Sequence, residues 1–429
     1  MKLHSKIALG LILGAVAGGT CNALFAGTDW LLWVSSTLAV PLGQVFLRLL
    51  LMTVVPIVFT SIALGVAGIG DVRMLGRLGG RTLAYFAGST LLAAGIGLVL
   101  VNAIRPGDGL DETTRDQLMT QFSQTGVAQS GPASFGVNTF VAIVPRNPVQ
   151  AAADTDMLAL IFFSLMFGAA LILIPRAKAQ PVINLLDGVG QAMVAIIDMA
   201  MRLAPYGVFA LIFAITSQLG WGILRQLGMY VVVVMAGLLI HAAVGISGLV
   251  ALLGRMHPMR FWTSVTAPFV MAFSTSSSMA TLPTSLHAAE QRLGLQPKIA
   301  GFVLPLGATM NMNGTALFEG VTVLFLAQVF GIVLDPGTQV VVVILSVLTA
   351  IGAAGVPGGS LPLMMLVMAT VGIPPEAIAI VLGVDRLLDM SRTALNVCGD
   401  LAAAVYVDRT DRMLQGRAPH TEASAPAAA

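Results

Sequence analysis

The chain has 429 residues, 57% hydrophobic and 10% charged, with a mean hydropathy of +0.90. Soluble domains carry about 25% charged residues, so this composition excludes a soluble protein and marks a polytopic membrane protein. The net charge of +2 leaves no basic footprint for nucleic acid, and Cys21 and Cys398 both lie in apolar segments, which argues against a disulfide framework or a thiolate metal site.

The first apolar segment, 7–27, follows Lys2 and Lys6. It has the outline of a secretory signal, but no cleavage site leads into a soluble domain and further spans follow at once, so it is expected to be an uncleaved helix. A second run, 37–66, ends at a loop with Arg73, Arg77 and Arg81. A third, 82–103, leads into a polar loop, 105–156, that carries Asp108, Asp111, Glu112 and Asp116. The fourth span starts at Met157 and stops at Pro175, Arg176 and Lys178. The fifth, 183–215, holds Asp198 and Arg202 one turn apart, an expected pair, and the sixth, 230–253, ends at Arg255, His257 and Arg260.

With Lys2 and Lys6 inside, alternating spans put every short arginine-bearing connection, and Arg409, Arg412 and Arg417, on the same side. The positive-inside rule then makes both termini cytoplasmic and the long acidic loop external, in a protein integral to the cell membrane, expected to be a bacterial inner membrane. The tail after Gly416, rich in Ala, Pro and Ser, is expected to be disordered.

Two segments do not behave as spans. The run 261–289 is broken by Ser274, Ser276, Ser277, Ser278 and Pro283, and 340–371 by Gly355, Pro357, Gly358, Gly359 and Pro362. Each arm is shorter than the about 20 residues a bilayer requires, so both are expected to be re-entrant hairpins whose irregular tips sit at membrane depth. A pair of interrupted segments points to a transporter's binding site, where half-helix N-termini offer N–H groups to an anion. Between them the seventh span, 300–330, carries Gly307, Asn311, Asn313, Gly314 and the acid Glu319. Local unwinding there would free oxygens for a hard cation.

The last helix, 380–407, is apolar yet contains Asp385, Arg386, Asp389, Arg392 and Asp400. Asp385, Asp389, Arg392, Asn396 and Asp400 fall within roughly 80° of helical arc, and Thr393 borders that face. Charges at membrane depth face a partner or an aqueous pathway, so this stripe marks a transport route.

These motifs resemble the dicarboxylate/amino acid:cation symporter family, which includes the glutamate transporters. The resemblance rests on the Ser276-Ser277-Ser278 run with Thr281 and Pro283, Asn311 to Thr315, Gly355 to Gly358, and the Asp385, Asp389, Arg392, Thr393, Asn396, Asp400 series, in the family's order. It implies an all-α polytopic membrane protein of eight transmembrane helices plus two re-entrant helical hairpins, a homotrimer in the lipid bilayer working as an elevator. The implied division puts scaffold helices 1–2 in 1–81, helix 3 of the transport domain in 82–104, an extracytoplasmic loop in 105–156, and scaffold helices 4–5 in 157–220. Helix 6 would occupy 221–257, hairpin 1 258–296, helix 7 297–332, hairpin 2 333–374, helix 8 375–410, and the tail 411–429.

By the same resemblance, Arg392 would hold the substrate's side-chain carboxylate and Asp389 its ammonium. Thr393, Asn396, Thr315, Ser276, Ser277, Ser278, Val356 and Ser360 would complete the pocket. One Na+ site would use Gly307, Asn311, Asn396 and Asp400, and a second Thr309, Met312 and oxygens at Ala350, Ile351 and Ala353. Two features depart from the common pattern or select within it. Asn313 replaces an aspartate that, with third-span hydroxyls such as Ser89 and Thr90, would hold a third Na+, and the lost charge degrades that site. Glu319 occupies the position of a glutamate in members that co-transport H+.

Within the family resembled, possession of both Asp389 and Arg392 implies an acidic L-amino acid, aspartate or glutamate, with a proton- or sodium-coupled C4-dicarboxylate carrier as the alternative. An anion channel is the rival of another class, but the chain lacks a repeated selectivity loop. An enzyme is disfavoured because serine needs an activating base, and His241 in the sixth span is the nearest candidate, better read as a packing residue.

Overall fold

The computed structural model describes residues 3–67, 79–109, 144–153, 157–352 and 360–414. Among them every regular element is helical. Arg73, Arg77, Asp111, Glu112, Asp116, Ala353, Val356 and Arg417, with most of the acidic loop and the tail, lie outside the described residues.

Helix α1, Leu3–Phe25, packs along the 44-residue α2, Arg176–Leu219. The approach is backbone to backbone. A Cβ on Gly10 would lie 2.4 Å from Pro205 O and one on Gly14 2.6 Å from Phe209 O, so only glycine fits this seam. At 1.5 Å per residue α2 is ~66 Å long and far exceeds the ~30 Å hydrocarbon core. The expected pairing of Asp198 with Arg202 on α2 does not occur: both are exposed, and no ion pair joins them among the described residues.

The second apolar run is not one helix. It divides into α3, Val40–Leu51, and α4, Val54–Ala67, with a turn at Met52 and Thr53. Pro56 supplies the reason, since it has no N–H to return to the Met52 carbonyl four residues back. The third span forms α5, Gly80–Ile104, close to its expected limits, and stops where Arg105 turns left-handed (φ 50°) before Pro106. The fourth span is α6, Met157–Leu173. The sixth is α7, Gly222–Ile240, continuing through a π-helical turn, His241–Ile246, to Leu252.

The broken segment after Arg260 forms two short helices on either side of its break. Helix α8, Thr266–Thr275, runs to a tip where Ser276 is left-handed (φ 52°), and α9, Ser278–His287, returns from it. Ser277 caps α9, its Oγ accepting from the Ala280 N–H. The seventh span is two helices, α10, Pro297–Met310, and α11, Asn313–Phe330, separated at Asn311 and Met312. The second broken segment gives α12, Pro336–Gly352, and α13, Leu361–Thr370, while its tip lies outside the described residues.

The chain closes on α14, Ala379–Leu414. Among the described residues five helical stretches are long and apolar enough to cross a membrane: Ser5–Phe25, Gly80–Ile104, Arg176–Gln218, Gly222–Leu252 and the interrupted Pro297–Phe330. The α10–α11 pair is the innermost, 94% of its most apolar stretch being buried, and it packs on α5, α12 and α14. At one end Gln328 ties it to α5, donating to Val101 O and accepting from the Gly107 N–H. At the other, the buried Asp408 carboxylate of α14 accepts from both nitrogens of Gln296, which caps α10, and from Arg412 Nε.

Candidate substrate and cation site

The polar stripe of α14 faces α11 and is buried, with Arg392 1% exposed. Its guanidinium is held on three sides. Nη1 donates to Asp385 Oδ1 at 2.9 Å, Nη2 to Asp389 Oδ1 at 2.8 Å, and the Phe318 ring of α11 lies 4.1 Å beneath it. Arg386 reaches the other Asp389 oxygen at 3.5 Å. Two carboxylates therefore face two guanidinium groups, and the cluster is neutral as it stands. This neutrality is what permits its burial, since an uncompensated charge would cost several kcal/mol.

One turn on, Asn396 acts as an external cap for α11. Its Oδ1 accepts from the N–H groups of Gly314 (2.8 Å) and Thr315 (3.4 Å), and its Nδ2 donates to Thr315 Oγ1 at 3.0 Å. The break at Asn311 and Met312 thus exposes a helix N-terminus inside the protein, and a side chain of α14 satisfies it. A further turn brings Asp400, whose Oδ1 accepts from Asn311 Nδ2 at 2.9 Å, while Asn311 Oδ1 accepts from Ser89 of α5 at 3.3 Å. Asp400 lies against Gly307, where a Cβ would come 2.5 Å from its Oδ1. Gly307, Asn311, Asp400 and Ser89 are therefore one oxygen-rich cluster, with Asn396 one turn away along α14.

The remaining expected residues fall into three groups. Ser276 and Ser360, at the two hairpins, are buried with hydroxyls that have no hydrogen-bond partner among the described residues. Such orphaned groups ask for a missing partner. Ser278 and Thr393 are buried too, and the first hairpin's α8 and α9 both pack on α14. Met312 and Ala350 are buried and α10 contacts α12, but Thr309 Oγ1 bonds back to Leu306 O and lies 3.9 Å from where a Cβ on Gly65 of α4 would sit. Ala353 and Val356 are outside the described residues, and the Ile351 side chain is likewise not described. Ser89, Thr90 and Asn313 are all buried, yet neither polar atom of the Asn313 amide has a hydrogen-bond partner among the described residues.

Glu319, fully buried on α11, accepts through Oε2 from Thr349 Oγ1 of α12 at 2.6 Å, and its Oε1 has no hydrogen-bond partner among the described residues. No group of three or more His, Cys, Asp or Glu side chains is poised for a metal among the described residues. The clustered donors are instead amide, hydroxyl and carboxylate oxygens, the set that hard cations take.

A charged stripe buried against the two helices of a broken segment and a helix interrupted at mid-length is the kind of arrangement that secondary transporters use. The family model of the sodium:dicarboxylate symporters matches residues 3–410. The chain belongs to the sodium:dicarboxylate symporter family. It is a cation-coupled membrane symporter and not an enzyme. It is 36% identical over 412 residues to the proton/sodium-glutamate symport protein of Bacillus subtilis (strain 168), covering 96% of this chain and 93% of that one. It is 34% identical over 410 residues to the proton/glutamate-aspartate symporter of Escherichia coli (strain K12), covering 95% and 92%. Against excitatory amino acid transporter 2 of Rattus norvegicus the identity is 30% over 454 aligned positions, 94% of this chain and 78% of that one.

Within this symporter, the sequence placed Asp385 in the polar stripe without giving it or Arg386 a substrate or cation contact, and the structure makes them the partners of Arg392 and Asp389. The signal was present for Asp385, which is two helical turns from Arg392 and on the same face. Phe318 and Thr349 were not singled out. Phe318 follows Thr315 by three residues and so shares its face of α11, and Thr349 precedes the expected cation contact at Ala350.

Proposed function

We propose that this symporter imports acidic L-amino acids, aspartate or glutamate, coupled to Na+, H+ or both, as a homotrimer whose hairpin-bearing domain moves against a fixed scaffold. The observation that carries the substrate reading is the Arg392–Asp389 pair. An acidic amino acid brings two carboxylates and one ammonium, and this pair can exchange partners with it. Asp389 turns from Arg392 to the ammonium, and the substrate's side-chain carboxylate takes its place on the guanidinium fork. Each charge keeps an opposite neighbour throughout, so no step buries a bare ion. The α-carboxylate falls to the N–H groups and hydroxyls at Ser276, Ser277 and Ser278, with Val356 and Ser360 at the second hairpin and Thr393 and Thr315 between them.

The oxygen cluster of Gly307, Asn311 and Asp400, with Asn396, is the Na+ site best supported by the geometry. The set Thr309, Met312, Ala350, Ile351 and Ala353 is a second, completed as the second hairpin closes. Glu319 carries the proton. It bridges α11 to the moving arm α12, so its state is linked to the gate. The relatives named for proton and sodium coupling support this reading of the ions, and those named for glutamate and aspartate support the substrate. The domain division follows the expected one, with residues 1–81 and 157–220 as scaffold and both termini cytoplasmic.

The test is uptake of labelled aspartate into liposomes containing the purified protein, with Na+ and proton gradients imposed separately. Uptake driven by either gradient and competed by glutamate supports the proposal. Competition by succinate but not glutamate would assign a C4-dicarboxylate carrier instead.

A further inference from the structure

The first hairpin carries a second feature, on the side turned away from the polar stripe. A groove of about 720 Å³ runs between its arms, walled by Thr263, Ala267, Val270, Met271 and Ser274 on one side and Thr284 and His287 on the other, with Arg292 at its mouth. From Thr263 to Ser274 it is ~16 Å long, about one leaflet of a ~30 Å hydrocarbon core. Its middle is apolar: Ala267, Val270 and Met271 are exposed on it. Its mouth is cationic. Arg292 is exposed, and the side chains of Arg292 and His287 have no hydrogen bond or ion pair among the described residues.

The mouth opens at the arginine-rich end of the bundle. Arg412 Nη2 donates to Gly294 O and Arg409 donates to Leu253 O, which brings the basic end of α14 to the hairpin's base, beside Arg255 and Arg260. The acids at this end are otherwise committed or turned aside: Asp408 is taken by Arg412 and Gln296, Asp411 is buried, and the half-buried Glu290 does not line the groove.

We propose that this groove binds one anionic phospholipid, its phosphate on Arg292 and His287 and an acyl chain along Ala267, Val270 and Met271. Charge complementarity identifies the occupant. Anionic headgroups collect at the basic face of membrane proteins, and an apolar trough one leaflet deep matches a chain attached to such a headgroup. A free phosphate would leave the apolar wall unfilled, and a zwitterionic lipid would bring its own cation beside Arg292 and offset the attraction of its phosphate. Because the groove lies between the arms of the hairpin whose tip is Ser276, the lipid also braces the element nearest the substrate. The inference depends on membrane placement and not on which substrate is carried.

Native mass spectrometry of the full chain, titrated with phosphatidylglycerol or phosphatidylcholine of the same acyl composition, tests it. Wild type is expected to retain phosphatidylglycerol over phosphatidylcholine by about five-fold for each basic group engaged. The double variant Arg292→Gln/His287→Gln should lose that preference while still taking up both lipids weakly. Ala267→Trp, which fills the apolar trough and leaves Arg292 and His287 in place, should lose retention of either lipid. Excess inorganic phosphate should not displace the lipid. Equal preference in wild type and the double variant overturns the proposal, as does displacement by phosphate with Ala267→Trp behaving like wild type, which would mark a simple anion site. Retention unchanged until the chain is truncated after Leu414, and then increased, would make the tail the groove's occupant and would also overturn it.

Discussion

Glu319 on α11 and Thr349 on α12 are joined by a 2.6 Å hydrogen bond in a region from which water is excluded. The bond links an ionisable group to the helix that enters the second broken segment, and among the described residues only one carboxyl oxygen is used, Oε1 having no partner. A proton on Oε1 neutralises the group without disturbing the Thr349 contact.

Glu319→Gln is isosteric and keeps the acceptor for Thr349, so the fold and the exchange of internal for external substrate are expected to survive. Net uptake driven by a proton gradient should be abolished, since the amide cannot carry the proton. Liposome uptake under a pH gradient, compared with homoexchange in the same preparation, checks this. Loss of both activities together would show a structural role instead.

Arg392 and Asp389 make opposite demands on substrate. Arg392→Lys keeps a charge but loses the fork and the stacking on Phe318, and is expected to weaken acidic substrates by on the order of 100-fold, the loss of about 3 kcal/mol for a broken buried pair. Asp389→Asn should impair amino acids far more than succinate, which has no ammonium to place. Competition curves for aspartate and succinate on both variants distinguish the roles; a parallel loss of both ligands in Asp389→Asn would count against the assignment.

Asn396 serves the architecture before any ligand arrives. Asn396→Ala leaves the Gly314 and Thr315 N–H groups unsatisfied at a buried helix start, a cost of about 1–3 kcal/mol. A lower thermal unfolding midpoint in detergent is expected. Thr315→Val removes the hydroxyl that Asn396 Nδ2 donates to, so the double variant should be less destabilised than the sum of the two, by about 1 kcal/mol.

Much of this was legible in the chain because a membrane makes polarity conspicuous. The stripe from Asp385 to Asp400 stood out since charge is rare in so apolar a helix, and the Ser276 break since neither apolar arm beside it is long enough to span; the Gly355 break lies outside the described residues. What stayed hidden depends on how closely helices approach. The Phe318 ring lies under Arg392 only because Gly314 lets α11 lie against α14, where a Cβ would come 2.7 Å from Arg392 O. The pairing of Arg392 with both aspartates depends on rotamers that spacing does not fix. The division of the second span at Met52 follows from Pro56, but a proline within an apolar run is equally compatible with a kinked single helix.

Asn313 shows what the loss of one charge leaves behind. Its amide is fully buried, both polar atoms lack hydrogen-bond partners among the described residues, and it lies against Gly399, where a Cβ would come 2.6 Å from its Oδ1. Space for an isosteric carboxylate is therefore already present, but a bare carboxylate there would cost several kcal/mol. Asn313→Asp is accordingly expected to destabilise the protein in the absence of Na+ and to recover as Na+ is added. The gain grows with the logarithm of ion concentration above its dissociation constant, as for any ligand bound only by the folded state. Thermal unfolding of wild type and variant over a range of NaCl, with choline chloride holding ionic strength constant, reads this directly. A steeper Na+ dependence in Asn313→Asp would show that one amide separates this symporter from an additional cation site. Equal slopes would mean that the surrounding oxygens cannot complete one, whatever the charge at Asn313.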